Sequence, residues 1–130
     1  MADSEQLLKE AKAAADQGDE PKAQGILLDL LRADPHNGGA LFMLGGSYFC
    51  EQKFAEATVI FEQLVVMYPG DGTASTGLYN SLWNQGKAEL AVNEIKRFFQ
   101  AADPKVERET MVKYMQIIET LSADESQMPN

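Results

Sequence analysis

Apolar residues return along this chain at intervals of three and four, the spacing that gathers them on one side of an α-helix. Leu41, Leu44, Gly45 and Tyr48 form one such stripe, and Ala57, Ile60, Phe61 and Leu64 form the next. Extended over the chain, the pattern predicts an all-α fold of about seven helices, at 4–17, 20–33, 38–51, 54–67, 73–85, 87–101 and 105–121. The punctuation agrees. Gly18 and Gly86 offer the left-handed backbone that ends a helix, and Pro35, Pro69 and Pro104 block continuation because proline lacks an amide hydrogen. Asp3 and Gln6 are spaced to cap the first helix reciprocally, the carboxylate accepting backbone amides and the Gln side chain reaching back. Residues 122–130 are polar and unpatterned and read as a flexible tail.

The stripes repeat. Ala23, Ala57 and Ala91 fall 34 residues apart, followed at equal offsets by Leu27, Phe61 and Ile95, then by Leu30, Leu64 and Phe98. Pro35 and Pro69 keep the same period, Pro104 comes one residue late, and Gly18 and Gly86 stand two periods apart at the mid-repeat turn. Small residues at Gly45 and Ala57 let two helix backbones approach, while Tyr48 and Phe61 fill the space beside that contact. Leu41, Leu44, Gly45, Tyr48, Ala57, Phe61, Leu64 and Pro69 occur at the gaps of a tetratricopeptide repeat, and the chain resembles that family over residues 4–105 as three copies.

The resemblance implies an α-α superhelix in one domain, 4–121, with repeats at about 4–37, 38–71 and 72–105 and a capping helix at 105–121. The first copy has only Leu7, Glu10, Ala11 and Ala14 in its first helix, and its second helix matches with Ala23, Leu27, Leu30 and Pro35. The third keeps Leu78, Leu82, Ala91, Ile95 and Phe98 but places Tyr79 where Gly45 sits in the second, which predicts a local change of helix spacing. In the last helix Met111, Tyr114, Met115, Ile118 and Leu121 are expected to cover the end of the stack, with Glu107, Arg108, Lys113, Gln116, Glu119 and Thr120 facing elsewhere. Val112 and Ile117 lie outside that stripe and leave a dimer contact open as the alternative.

Charge narrows the choice of partners. Twenty acidic against eleven basic residues give a net charge of -9, a field that repels nucleic-acid phosphates and anionic lipid. No apolar stretch approaches the roughly 20 residues of a membrane span, and the start Met1–Gln6 is acidic, unlike a signal peptide, so a cytoplasmic protein is expected. With one cysteine, Cys50, and one histidine, His36, neither an internal disulfide nor a usual structural zinc site is expected. His36 sits in the loop Asp34–Gly38, without a nucleophile motif beside it, and reads as a solvated side chain. The glycine pairs match neither a phosphate-cradling loop nor a dinucleotide fingerprint, and the acidic runs Asp19–Glu20 and Asp124–Glu125 are too short for a calcium loop. With no converging reactive set, the expectation is a non-enzymatic chain with no cofactor and no metal.

In the resembled family the first helix of each pair lines the concave face. On helix geometry the residues offset from the packing stripe then line the groove: Phe42, Gly46, Phe49 and Cys50 in the second copy, Thr76, Asn80, Trp83 and Asn84 in the third, and Leu8, Lys12, Ala15 and Asp16 in the first. Phe42, Phe49 and Trp83 are large aromatics outside the repeat's own core pattern; they either receive an apolar partner or are buried by internal packing or self-association. The family's chaperone-tail binders hold a terminal carboxylate with Lys, Arg and Asn; the corresponding positions here are Leu8, Lys12, Met43, Thr73 and Gly77, four of which lack such a side chain. The function expected is therefore that of an adaptor or chaperone-like protein-binding module. Its ligand is an apolar or amphipathic segment with basic flanks, held at about micromolar strength. A bacterial secretion-type chaperone, a neutralising or assembly factor, and a self-associating scaffold remain alternatives, and the chain is expected to be a monomer or weak homodimer without nucleic-acid or membrane binding.

Overall fold

The computed structural model describes residues 3–127, which form α1 (Ser4–Asp16), α2 (Glu20–Ala33), α3 (Gly38–Cys50), α4 (Phe54–Met67), α5 (Gly72–Asn84), α6 (Ala88–Ala101) and α7 (Arg108–Gln127). Four of these begin on a side chain that satisfies a first-turn amide: Asp3, Asp19, Asn37 and Asp71 accept from the backbone N–H of Gln6, Lys22, Ala40 and Ala74 at 2.8, 3.2, 2.9 and 2.8 Å. The reciprocal half of the first cap does not form, because Gln6 turns its amide along the helix to Glu10 instead. α4 and α6 start after Lys53 and Lys87 with no side-chain cap. Their entry turns are closed by backbone alone, Lys53 N–H to Tyr48 O at 2.9 Å and Lys87 N–H to Leu82 O at 3.0 Å.

α7 departs from expectation at both ends. It begins at Arg108 rather than 105, since 104–106 form a turn in which the amides of Val106 and Glu107 both bond to Asp103 O. It then runs on to Gln127, through most of the stretch read as a tail. Once a helix is nucleated each added residue gains a hydrogen bond, and no glycine or proline interrupts the chain before Pro129. Residues 128–130 of the expected tail lie outside the described residues.

The helices form hairpins, α1 with α2, α3 with α4 and α5 with α6, which stack so that α2 meets α3, α4 meets α5 and α6 meets α7. Ala11, Leu27, Leu30, Ala40 and Leu44 make an N-terminal core, and a larger one extends from Leu41 through Phe61, Leu78, Ile95 and Phe98 to Tyr114. Leu31, Tyr48 and Ile60 pack against both, so the stack is continuous. Phe61 is held between two glycines. A Cβ on Gly45 would stand 3.0 Å from its Cζ, and one on Gly77 would overlap the ring outright. Tyr79 turns toward α7, its ring 5.7 Å from that of Tyr114.

The end stripe is rotated from the one expected. Met111 and Tyr114 are buried, Ile117 and Ile118 pack half-buried on the core, and Met115 is 53% exposed. At 100° per residue, Tyr114, Ile117 and Leu121 cluster on one side of α7 while Met115 falls outside. Ile117 is thus engaged by its own chain, whereas Val112 stays exposed.

A polar chain pins this arrangement. Ser75 Oγ donates to Glu94 Oε2 at 2.6 Å, and Arg97 donates to both oxygens of Glu94 at 2.6 Å and to Pro69 O at 2.8 Å. With the Ser75 hydrogen committed to Glu94, the Tyr114 hydroxyl donates to Ser75 Oγ at 2.8 Å. Three helices and the preceding inter-repeat turn are joined, and burial pushes the Tyr114 phenol up to about 12.

Candidate protein-interaction groove

The residues expected on the concave face come from α1, α3 and α5, and the fold treats them differently. Phe42 is half-buried, its ring 6.2 Å from that of Tyr68 at the end of α4. Phe49 is half-buried under Phe54, edge to face at 5.2 Å. Gly46 and Cys50 line a small cleft of about 200 Å³ with Ala15, Ala23, Leu27 and Met43, and Cys50 is exposed. Leu8 is half-buried, beside Gly39, while Lys12 and Asp16 are exposed. Thr76 is half-buried; Asn80 and Asn84 are occupied with each other, Asn84 Nδ2 donating to Asn80 O at 2.7 Å.

Trp83 stands apart from these. Its indole stacks on Tyr79 at 5.9 Å and 20°, yet it remains 41% exposed. The reason lies in α7. Glu107 accepts the Gly72 amide at 3.1 Å and Tyr114 bonds to Ser75, so α7 lies alongside α5 from its start, and its far half forms the opposite wall of a cleft at Trp83. That cleft, of about 560 Å³, is bounded by Tyr79 and Trp83 on one side and by Lys113, Gln116, Ile117, Thr120, Leu121 and Asp124 on the other. A second cleft of about 530 Å³ lies across Trp83, toward Ala88, Val92 and Lys96 of α6, and shares Leu121 and Asp124. The indole and Leu121 therefore form a ridge with a depression on each side. The Cys50 and Trp83 clefts share no lining residue, so the eight positions expected in the second and third copies do not form one pocket.

The α7 wall was not among the expected groove residues. Lys113, Gln116 and Thr120 were expected to face elsewhere, and Ile117 to be spare; the available signal was the spacing of Ile117 and Leu121 from Tyr114, which sets all three on one side. Among the described residues no group of three or more His, Cys, Asp or Glu is placed to hold a metal ion. No described helix is long and apolar enough to cross a membrane.

The succession of helices is shared with solved structures. The first tetratricopeptide domain of human RPAP3 matches with a TM-score of 0.71 over 96% of this chain and 97% of that one, at 20% identity. The fold is that of a tetratricopeptide solenoid. The first such domain of Spaghetti (RPAP3), solved bound to the HSP90 peptide SRMEEVD, aligns at 0.71 over 93% of this chain and 99% of that one, with 21% identity. A mutant of MamA aligns at 0.69 over 89% of this solenoid and 69% of its own length, with 22% identity. No protein-family model matches the sequence, and no curated protein matches it significantly.

Proposed function

We propose that this tetratricopeptide solenoid is a non-enzymatic interaction module that holds an apolar or amphipathic segment of a partner protein against Trp83, between α5 and α7. The observation that carries the reading is the indole itself, 41% exposed on a ridge between two clefts of about 560 and 530 Å³. A tryptophan left half-covered keeps on the order of 100 Å² of surface to bury, worth about 2.5 kcal/mol at about 25 cal/mol per Å². Phe42 and Phe49, partly covered by Tyr68 and Phe54, have less to add. One anchor of this size with modest neighbours gives weak, exchangeable binding once ordering costs are subtracted. The charge of -9 selects basic flanks in the ligand and makes encounter faster at low salt.

The Spaghetti domain was solved with an acidic peptide, and this chain is poorly suited to one. Of Leu8, Lys12, Met43, Thr73 and Gly77 only Lys12 carries a cation, and any side chain at Gly77 would collide with Phe61. The test uses two probes, an 18-residue amphipathic peptide with lysine flanks and the peptide SRMEEVD. The lysine-flanked peptide is expected to bind and to shift the emission of Trp83, the only tryptophan, to the blue, and Trp83→Ala to weaken it tenfold or more. Unchanged emission in a complex shown to form, or preference for SRMEEVD, overturns the reading.

A further inference from the structure

The outward side of α4 is also unusual. Val59 and Val66, seven residues apart and so on one face, are 57% and 79% exposed, and Glu62 lies between them. Two depressions flank this ridge and meet at Glu62. One, of about 370 Å³, is lined by Val59, Val66 and Met67 with His36 at its edge; the other, of about 300 Å³, by Leu78, Leu82 and Leu90, with Leu90 52% exposed. Glu94 and Arg97 at the floor of the second are bonded to each other, so their charges are matched. Among the described residues no cation lies within ion-pair distance of Glu62. An unmatched carboxylate thus stands between two aliphatic hollows, the second of which borders the α6 cleft at Trp83 through Asn93.

We propose that this outer ridge of α4 is a second docking surface, for a partner helix that carries a Lys or Arg midway along an aliphatic face. The cation answers Glu62, and aliphatic side chains one turn to either side fill the two hollows. A second copy of the chain is a poor occupant, because each copy carries -9 and would bring another acidic face to an acidic ridge. An anionic lipid surface is repelled for the same reason. The inference does not rest on the Trp83 cleft: with both surfaces in use the chain bridges two partners, and with α4 alone it still binds one.

The experiment uses a helical peptide with Leu-Arg-Leu at one-turn spacing and the same peptide with the Arg replaced by Gln. Both are titrated into the whole chain and into Glu62→Gln, Val66→Asp and Trp83→Ala. Amide shifts on binding the Arg peptide are expected at Val59, Glu62, Val66 and Leu90. Glu62→Gln and Val66→Asp each should weaken it fivefold or more. The loss from Glu62→Gln should vanish with the Gln peptide, which shows that the carboxylate and the cation meet, and Trp83→Ala should bind as the parent does. Shifts confined to α5 and α7, equal losses for both peptides on Glu62→Gln, or a dimer that covers Val66 by sedimentation and shift mapping each overturn the proposal.

Discussion

Gln52 occupies the position that glycine holds in the other two repeats. Gly18, Gln52 and Gly86 are 34 residues apart and share left-handed backbone, with φ of 81, 61 and 77°. Only the glutamine is strained there, because its Cβ crowds the following carbonyl. Gln52→Gly is therefore expected to stabilise the chain by about 0.5 to 1 kcal/mol, measured by urea unfolding. Tyr114 predicts a dependence on pH. Its phenol titrates near 10 when unfolded and is held at about 12 in the fold, so burial favours the neutral form. The resulting contribution, about 2 to 3 kcal/mol, is fully present below pH 10 and is lost as pH rises toward 12. Unfolding at pH 7, 9 and 11.5 should show the loss in the parent and much less of it in Tyr114→Phe. The part that remains comes from Tyr79, which burial also raises.

The meeting of α3, α4 and α5 turns on the slot that Gly45 and Gly77 leave for Phe61. The period and the Gly45 side of this slot were legible, since small and large residues alternate at fixed offsets. Gly77 was not: it lies one position before Leu78 and outside every repeat column, and only the packing of α4 on α5 presses it against Phe61. Gly77→Ala is expected to cost about 1 to 3 kcal/mol by overpacking. Combining it with Phe61→Leu should recover part of that loss, because the smaller side chain vacates the slot. Additive losses in the double variant, measured by chemical denaturation, would place the ring elsewhere. The buried Glu94 is a similar case. Nothing in an amphipathic stripe marks a carboxylate as internal; its burial depends on Ser75, Arg97 and Tyr114 arriving from three helices.

Stacked repeats bury their faces only against a neighbour, so the ends govern both stability and binding. α7 covers Tyr79 and Phe98 with Tyr114 and Met111. Ending the chain at residue 107 should cost about 3 to 6 kcal/mol, at about 1.5 to 3 kcal/mol for each large side chain no longer buried. It should also produce self-association visible by sedimentation, since the uncovered face is apolar. A shortened chain that melted like the parent and stayed monomeric would show that α7 does not cap the stack. The same helix makes one wall of the Trp83 cleft, so the device that closes the core also opens the groove.

Residue order alone determined the helices, their pairing and the 34-residue period. Each of these follows from local periodicity and from where glycine and proline stop a helix, which neighbours along the chain decide. The groove was legible only in part. Trp83 was found as an aromatic without a place in the repeat core, but its partner wall was not, because which side of α7 faces inward depends on Tyr114 reaching Ser75 across 39 residues. The same limit applies to Phe42 and Phe49, whose exposure is set by Tyr68 and Phe54. Periodicity assigns a side chain to a face of its helix; how much of that face meets water is settled by the helices packed against it.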